Sequence, residues 1–231
     1  MIQKHDGVIT VDLPVKLDRA AVARRLMLRQ GGRDAEQAAD ELVGVVESVA
    51  RPRAIYRECT VKRLPDSRLG IGEASFSSRV LEKVLGEGQT VFPYVLTIGP
   101  ELAEVALPDG NMLKRYWLDT VKSMVVHLAG DSFSEHLHNK HKGQRLTHMN
   151  PGEIDDWPVT EQKPLFSLFG DAADDLGVTL TDGYMMRPAK SRSGIFFGNE
   201  NGFETCRLCT QFRCVGRRAA YDAAAVAVYT A

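Results

Sequence analysis

The sequence contains no uninterrupted apolar run near the roughly 18 residues that a membrane-spanning helix needs. Residues 1–10 also lack the basic and apolar blocks of a secretory signal peptide. The 29 basic residues nearly balance the 30 acidic residues, so the net charge gives no reason to expect a nucleic-acid partner. With 44% hydrophobic and 26% charged residues, the composition is typical of a globular protein. We therefore predict a cytoplasmic protein that binds neither membranes nor nucleic acids.

Cysteine is scarce, which argues against a disulfide framework. Of the four cysteines, Cys59 stands alone, and Cys206, Cys209 and Cys214 form a C-x2-C-x4-C pattern. Three thiolates this close can face one zinc ion or one iron–sulfur cluster, with a fourth ligand from Cys59, a histidine, a substrate or water. Free reduced thiols are the alternative. Cys59 itself is predicted to be a small buried apolar group.

A regular βαβ repeat and a GxGxxG fingerprint are both missing, which argues against a dinucleotide-binding fold. Helical and extended patterns are interspersed instead, so we predict an α+β fold with a largely antiparallel sheet. A length of 231 residues fits one large domain or two small ones. We favour one continuous domain. In it, N-terminal helices and a hairpin in residues 1–88 pack on a core of residues 89–231 that ends in the cysteine cluster.

The extended patterns predict a hairpin and a buried strand. Residues 54–64 and 69–76 are separated by Pro65-Asp66-Ser67, a turn sequence that predicts a hairpin. Residues 90–98 are the most apolar strand candidate of the chain. Pro100 follows them and suits the first turn of a helix, so this strand is predicted to run directly into a helix.

The longest helical pattern spans residues 111–141, and a kink is expected near Gly130. Four of its side chains lie at helical spacings on one side and could suit a metal: His127, Asp131, Glu135 and His138. We favour a solvated polar face carrying His136, His138 and His141, because no HExxH pattern accompanies these residues. Shorter helices are predicted over residues 18–28, 34–50, 77–85 and 162–169.

Two stretches have the composition of binding loops. In the first, Asn150-Pro151-Gly152 breaks the backbone after an extended run, and Asp155-Asp156 precedes Trp157-Pro158 at a predicted helix start. In the second, Pro188 stops an extended run. A cation and two hydroxyl groups, from Lys190, Ser191 and Ser193, then lie beside Gly194, which lets another molecule approach the backbone. A polar ligand could bind between the two stretches; the alternative is an ordinary turn and an ordinary strand start.

Four landmarks in this order carry a resemblance to a known family. They are residues 96–102 at a strand-to-helix junction, residues 133–138 late in the long helix, residues 150–162 with Asn-Pro-Gly and Asp-Trp-Pro, and residues 188–197 followed by the three clustered cysteines. Together they make residues 90–218 similar to the activation domain of cobalamin-dependent methionine synthase, in its free-standing form.

The resemblance implies a twisted, largely antiparallel sheet flanked by helices that binds S-adenosylmethionine. It also implies a role in repair, in which cob(II)alamin held by a corrinoid protein or core methionine synthase is returned to methylcobalamin. The electron would come from a reductant protein such as flavodoxin or ferredoxin. The sulfonium methyl group is already activated by its charge, so the protein's task would be positioning and exclusion of water.

Mapped onto this chain, the resemblance places the amino-acid end of S-adenosylmethionine on residues 148–152 and the adenosyl end on residues 188–196, with Phe196 as an aromatic wall. The implied ligand-binding residues are Arg145, His148, Met149, Asn150, Pro151, Gly152, Trp157, Pro188, Lys190, Ser191, Ser193, Gly194 and Phe196. The implied metal ligands are Cys206, Cys209 and Cys214.

Two departures from the family pattern bear on this mapping. The family usually has an arginine where His148 stands, and neutral imidazole cannot pair bidentately with a carboxylate. Many members have Gly-Tyr where this chain has Gly152-Glu153, and Glu153 would repel a carboxylate. Either Arg145 replaces the missing cation, or binding of S-adenosylmethionine is weakened. Two other hypotheses remain: a non-catalytic docking or electron-transfer partner of a corrinoid protein, and an unrelated enzyme with a metal on the histidine-rich helix.

Overall fold

Nine strands form one open sheet and two short strands form a second, within residues 2–5, 7–26, 32–107, 111–141, 144–214 and 216–230, which the computed structural model describes. The strands are β1 (Ile2–His5), β2 (Val8–Asp12), β3 (Arg53–Tyr56), β4 (Cys59–Leu64), β5 (Arg68–Ile71), β6 (Ala74–Phe76), β7 (Thr90–Thr97), β8 (Leu146–Met149), β9 (Thr179–Leu180), β10 (Met186–Arg187) and β11 (Ser191–Gly198). β9 and β10 form the small sheet, and all the pairs are antiparallel. The predicted antiparallel sheet is confirmed.

β7 is the central strand, and its continuous apolar pattern predicted that it is buried. It is buried at every position after Thr90. β3 and β4 pair with one edge of β7, and β11 pairs with the other edge. β2 and β1 extend the sheet beyond β3, β5 and β6 extend it beyond β4, and β8 lies outside β11. Pro93, which has no N–H to donate, lies between the residues of β7 that pair with β3 and those that pair with β4.

Helices flank the sheet. Those described are α1 (Arg19–Arg25), α2 (Gly32–Val49), α3 (Arg79–Val84), α4 (Pro100–Glu104), α5 (Met112–Lys140), α6 (Gln162–Ser167), α7 (Ala172–Asp175) and α8 (Ala223–Thr230). α5 confirms the predicted long helix, and its N-terminus is capped by Asn111, whose side chain accepts from Lys114 N at 3.0 Å. α1 starts after Asp18 as predicted, but its predicted end at Leu28 lies outside the described residues. No helix in the described ranges is both long and apolar enough to cross a membrane.

The side chains of β7 alternate between two buried cores, one on each face of the sheet. Val91 and Val95 pack in one core with apolar side chains of α3, α6, α7 and α8. Phe92, Tyr94 and Leu96 pack in the other core with apolar side chains of α1, α2 and α5. Each fully buried Leu or Phe contributes about 1.5–3 kcal/mol to folding, so the two cores together hold the sheet and both helical layers.

The predicted hairpin is confirmed in β4 and β5, which are joined by a 3-10 turn over Pro65–Ser67. Asp66 and Ser67 have positive φ angles of 66° and 56°, a left-handed conformation that Asp tolerates better than most residues. Each predicted extended segment is divided in two. β3 and β4 are separated at residues 57–58, and β5 and β6 at residues 72–73.

A helical segment begins after Trp157-Pro158 as predicted, as a 3-10 turn over Val159–Glu161 that leads into α6, but the Asp156 side chain caps a different helix. Its carboxylate accepts hydrogen bonds from Ser78 Oγ and from Val80 N at 3.0 Å, at the first turn of α3. Ser78 Oγ in turn accepts from Leu81 N at 3.0 Å. A carboxylate that precedes Trp157 in sequence therefore closes the N-terminus of a helix some 75 residues earlier, which is a tertiary contact that local patterns do not encode.

We expect Asp156→Ala to lower the free energy of unfolding by about 1–3 kcal/mol, because it leaves partly buried donors of α3 without an acceptor. Urea unfolding followed by circular dichroism measures this change. The matched control is Asp155→Ala at the exposed neighbouring position, where the expected change is within about 0.5 kcal/mol. Equal effects of the two substitutions would contradict the capping role.

Candidate functional site

A pocket of about 910 Å³ lies between α5 and one face of the sheet. This volume is in the range of sites that bind drug-sized or cofactor-sized molecules, about 300–1,000 Å³. Its walls are formed by α1, α5, the strands β7, β8 and β11, the turn after β8, and the cysteine-containing loop of residues 205–218. Among the predicted site residues, those that line it are His148, Asn150, Gly152, Phe196, Cys206, Cys209 and Cys214.

The floor of the pocket is built by the pairing of β8 with β11. His148 lies opposite Phe196 in this pair, and their ring centroids are 4.9 Å apart. Because side chains alternate along a strand, Arg192 points to the same face as Phe196 and also lines the pocket. The resulting floor has an aromatic surface and an adjacent cation.

Gly194 lets the two predicted binding stretches touch. A Cβ atom at this position would lie 2.1 Å from Asn150 Oδ1 and 2.5 Å from Met149 O, distances that no real side chain adopts. Glycine is therefore required where β11 passes the turn that follows β8. The expectation that these two sequence-distant stretches meet is confirmed by the strand pairing. That they bind a ligand stays a prediction.

The turn of residues 150–153 is held by its own hydrogen bonds. Tyr94 Oη donates to Asn150 Oδ1 at 2.9 Å, and Asn150 N and Nδ2 donate to the Glu153 carboxylate at 3.1 Å and 3.0 Å. Burial raises the pKa of Tyr94 to about 12, so its hydroxyl is a donor at neutral pH. Burial also raises the pKa of Glu153, although the Arg192 charge opposes that shift. Gly152 has a φ angle of 87° and donates to Trp157 O at 2.7 Å.

His148 is a neutral imidazole between two arginines. Arg192 Nη2 lies 3.3 Å from its Nε2, and Arg218 Nη1 lies 3.0 Å from its Nδ1. Burial lowers the pKa of His148 well below its ordinary value, and the Arg218 and Arg192 charges lower it further. The imidazole is therefore not available as a cation at neutral pH, and the positive charge of this part of the pocket is that of the two guanidinium groups.

The two serines predicted to bind ligand face the opposite core. Ser191 and Ser193 are 8% and 3% exposed. Ser191 Oγ donates to Thr97 Oγ1 at 3.1 Å, and Ser193 Oγ donates to Gln162 Oε1 at 3.2 Å. These hydrogen bonds satisfy the hydroxyl groups within the protein, on the face of the sheet away from the pocket.

The remaining predicted binding residues also lie outside this pocket. Lys190 Nζ donates to Asp119 and to Ser123 of α5 at 3.0 Å and 2.9 Å. Met149 and Trp157 are fully buried in the core of the opposite face. Arg145 is exposed and lines a separate, more open cleft of about 640 Å³. Pro151 and Pro188 do not line the main pocket either. Arg145 therefore does not replace the cation that His148 lacks.

The sequence prediction missed Arg192, Arg218 and Tyr94 as pocket residues. A signal for Arg192 was present, because the two-residue period of a strand places it on the same face as Gly194 and Phe196. No local pattern distinguishes Tyr94 from the other apolar residues of its buried strand. Arg218 reaches His148 from 70 residues away, so its position depends on tertiary structure alone.

The cysteine-containing loop is organised by the Arg217 guanidinium group. Arg217 Nη1 donates to Cys206 O at 2.8 Å and to Ala219 O at 2.9 Å, and Nη2 donates to Cys209 O at 2.8 Å and to Gln211 O at 2.9 Å. Four carbonyl groups are satisfied by one charged side chain, which is rigid and planar. The loop therefore keeps its shape through a guanidinium group.

The predicted metal centre is not formed in the described part of the chain, where no three His, Cys, Asp or Glu side chains are gathered as metal ligands. Cys214 is exposed, whereas Cys206 and Cys209 are partly buried. The three thiols thus do not fit a closed tetrahedral site, although all of them line the pocket. Cys59 is buried as predicted, in the core of the opposite face, and cannot complete such a site.

The histidine-rich helix does not form a metal site either, in the residues described. His127 lines the main pocket, whereas His138 is exposed at the separate cleft. Of the predicted solvated face, only His138 is exposed. His136 and His141 are partly buried, with His136 Nε2 3.4 Å from Tyr56 Oη and the His141 ring 4.4 Å from that of Phe92. These two histidines therefore pack against aromatic side chains.

The fold and the pocket define the class of protein: an α+β domain whose open, antiparallel sheet has a ligand-sized pocket between one of its faces and α5. No model of a known protein family and no curated protein matches the chain. Thirteen chains of solved structures do match. One is the crystal structure of the MetH reactivation domain bound to AdoHcy, with a TM-score of 0.63, 13% sequence identity, and coverage of 86% of this chain and 80% of that chain. The chain therefore has the fold of that domain.

We expect Gly194→Ala to destabilise the protein by about 1–3 kcal/mol, because the added Cβ meets the backbone and side chain of the neighbouring turn. Thermal unfolding measures the change. The matched control is Gly198→Ala on the same strand, where the nearest atom to an added Cβ is 3.6 Å away. A Gly194→Ala protein as stable as the control would show that the two stretches are not in close contact.

The protein should lose stability as the pH falls from 7.5 to 5.5, in part through His148. Its native pKa is lowered, so the unfolded chain takes up a proton more readily. The stabilisation that neutral His148 contributes is complete at pH values above the pKa of this imidazole in the unfolded chain, about 6.5. It is therefore lost as the pH falls toward the lower pKa of His148 in the native protein. His148→Gln should flatten the dependence of the urea-unfolding free energy on pH.

The control for this measurement is His138→Gln, which changes an exposed imidazole outside the main pocket. Burial also lowers the pKa values of His127 and His136. Both residues are present in the two variants, so they contribute equally to the pH dependence of stability in each. Equal flattening by the two substitutions would contradict the assignment of this pH dependence to His148.

Proposed function

We propose that this protein binds S-adenosylmethionine in the pocket under α5 and uses it to remethylate a corrinoid held by a partner protein. The observation that carries the proposal is the contact between residues 148–152 and β11 at a ligand-sized pocket. The fold shared with a reactivation domain bound to AdoHcy supports it. AdoHcy is the demethylated product of S-adenosylmethionine, so a pocket for one has the size needed for the other.

Two features of the pocket support binding of such a ligand. The Phe196 ring, whose centroid lies 4.9 Å from that of His148, offers an aromatic surface on which a nucleobase can stack. Asn150 and Gly152 present a turn whose shape is already fixed by hydrogen bonds. A prearranged wall lowers the entropy cost of binding, because the protein does not have to order the turn when the ligand arrives.

The proposed reaction needs positioning more than acid–base chemistry. One electron from a reductant protein such as flavodoxin or ferredoxin converts cob(II)alamin to cob(I)alamin. The cobalt electron pair then attacks the sulfonium methyl group, the carbon–sulfur bond breaks, and the sulfur keeps its bonding pair. The products are methylcobalamin and S-adenosylhomocysteine. No proton is transferred, so this chain would act by aligning the methyl group and excluding water.

The partner in this proposal is a corrinoid protein or core methionine synthase, which supplies the cobalamin. The clustered thiols of Cys206, Cys209 and Cys214 are assigned no metal and no step, because they do not form a ligand set in the described structure. In this function the loop that carries them forms a wall of the pocket, held by Arg217.

The first test is calorimetric titration of the purified chain with S-adenosylmethionine. We expect saturable one-to-one binding, and about a tenfold or greater loss of affinity in Asn150→Ala, which removes the hydrogen bonds of the pocket turn. The control is Ser193→Ala, on the opposite face of the sheet, which should bind normally. A folded protein that gives no heat of binding would favour the docking or electron-transfer hypothesis instead.

The second test is remethylation itself. Under anaerobic conditions the chain, a reductant, S-adenosylmethionine and a protein carrying cob(II)alamin should together produce the absorption band of methylcobalamin. Reactions without the chain, or without S-adenosylmethionine, are the controls. Binding of S-adenosylmethionine without any remethylation of several corrinoid proteins would contradict the proposed reaction while leaving the ligand assignment intact.

A further inference from the structure

More hydrogen-bond donors lie next to His148 than its imidazole has nitrogens to accept them. Arg192 Nη2 lies 3.3 Å from Nε2, and Arg218 Nη1 lies 3.0 Å from Nδ1. A neutral imidazole has one acceptor nitrogen, a protonated one has none, and guanidinium groups only donate. At most one of these two contacts can therefore be a hydrogen bond at any time. The other guanidinium group, which also lines the pocket, has a donor that His148 does not accept.

The charges around the pair leave a surplus of positive charge. Arg218 Nε lies 3.2 Å from a Glu204 oxygen, but Arg192 has no carboxylate within 4 Å among the described residues. The Glu153 carboxyl group interacts with the charge of Arg192, but its two oxygens accept hydrogen bonds from Asn150. A guanidinium group in a partly buried pocket without a carboxylate partner is costly, unless an anion completes its hydrogen bonds.

The position of Arg192 is set by the close approach of α5. A Cβ atom at Gly130 would lie 2.8 Å from Arg192 Nη1, so this glycine makes room for the guanidinium group beside the helix. The side chain thus extends from β11 under α5 toward His148. Gly130, where a helix kink was expected, has a steric role toward Arg192.

We propose that Arg192 and Arg218 form the subsite that binds the carboxylate of the amino-acid portion of the ligand. The inference rests on the proposed function, since it takes the ligand to be S-adenosylmethionine. Both guanidinium groups can donate to the two oxygens of one carboxylate, as imidazole alone cannot. His148 then acts as the spacer that holds one guanidinium group through its single acceptor nitrogen. Two arginines from other elements thereby supply the cation that residue 148 lacks.

The experiment compares two ligands that differ only in this group, S-adenosylmethionine and decarboxylated S-adenosylmethionine, by calorimetric titration. The chain should bind the carboxylate-bearing ligand about 10- to 100-fold more tightly, which is the usual value of a charge-assisted hydrogen bond or two. Arg192→Gln and Arg218→Gln should each reduce that ratio by lowering affinity for S-adenosylmethionine, while affinity for the more cationic decarboxylated ligand stays the same or rises.

Two further variants make the test specific. Arg145→Gln removes an exposed arginine at the separate cleft and should leave both affinities unchanged. Gly130→Ala changes no charge but pushes the Arg192 guanidinium group, and should lower the ratio in the same direction as Arg192→Gln. Circular dichroism of each variant confirms that it is folded.

Each outcome separates the two proposals. Equal affinity of the unmodified chain for both ligands would overturn the carboxylate subsite and leave S-adenosylmethionine binding standing. An equal loss for both ligands in Arg192→Gln and Arg218→Gln would also overturn it, because it would show a structural role for the arginines. Binding of neither ligand to the unmodified chain would overturn the proposed function and the subsite with it.

Discussion

The pairing of β11 with β7 on one edge and β8 on the other is the constraint on which the pocket depends. Ile195 lies opposite Pro93 in one pair and opposite Met149 in the other. Because strand side chains alternate, this register directs Arg192 and Phe196 into the pocket and the serines of β11 into the opposite core. A shift by one residue would exchange the two sets. Gly194 is compatible with this register because the neighbouring turn approaches β11 too closely there for a side chain.

Burial decides the charges of the pocket. The pKa of His148 is lowered and that of Glu153 is raised by the same desolvation, so both groups tend toward their neutral forms. The guanidinium groups of Arg192 and Arg218 keep their charge, because arginine does not lose its proton in proteins. The pocket thus combines a turn whose buried polar groups are satisfied internally with two cations that share the single acceptor nitrogen of His148.

The same fold accommodates different chemistry at individual positions. At 13% identity to the MetH reactivation domain, the sheet and its flanking helices match, and the site depends on particular side chains. Here a histidine, His148, lines the pocket, and arginines from β11 and from the cysteine-containing loop lie against it. The loop itself is held by four carbonyl contacts to Arg217, which gives a polar loop the internal hydrogen bonds that burial requires.

The sequence by itself determined the α+β class, the buried strand of residues 90–98, the long helix, the hairpin at Pro65–Ser67 and the two stretches that meet at the pocket. Periodicity and turn residues act over a few positions, so local patterns carry these features. Only the tertiary structure decided which face of β11 meets the pocket, that Asp156 caps α3, and that Arg218 rather than Arg145 reaches His148. Those outcomes depend on contacts between residues far apart in the chain, which long-range packing selects and local propensity does not encode.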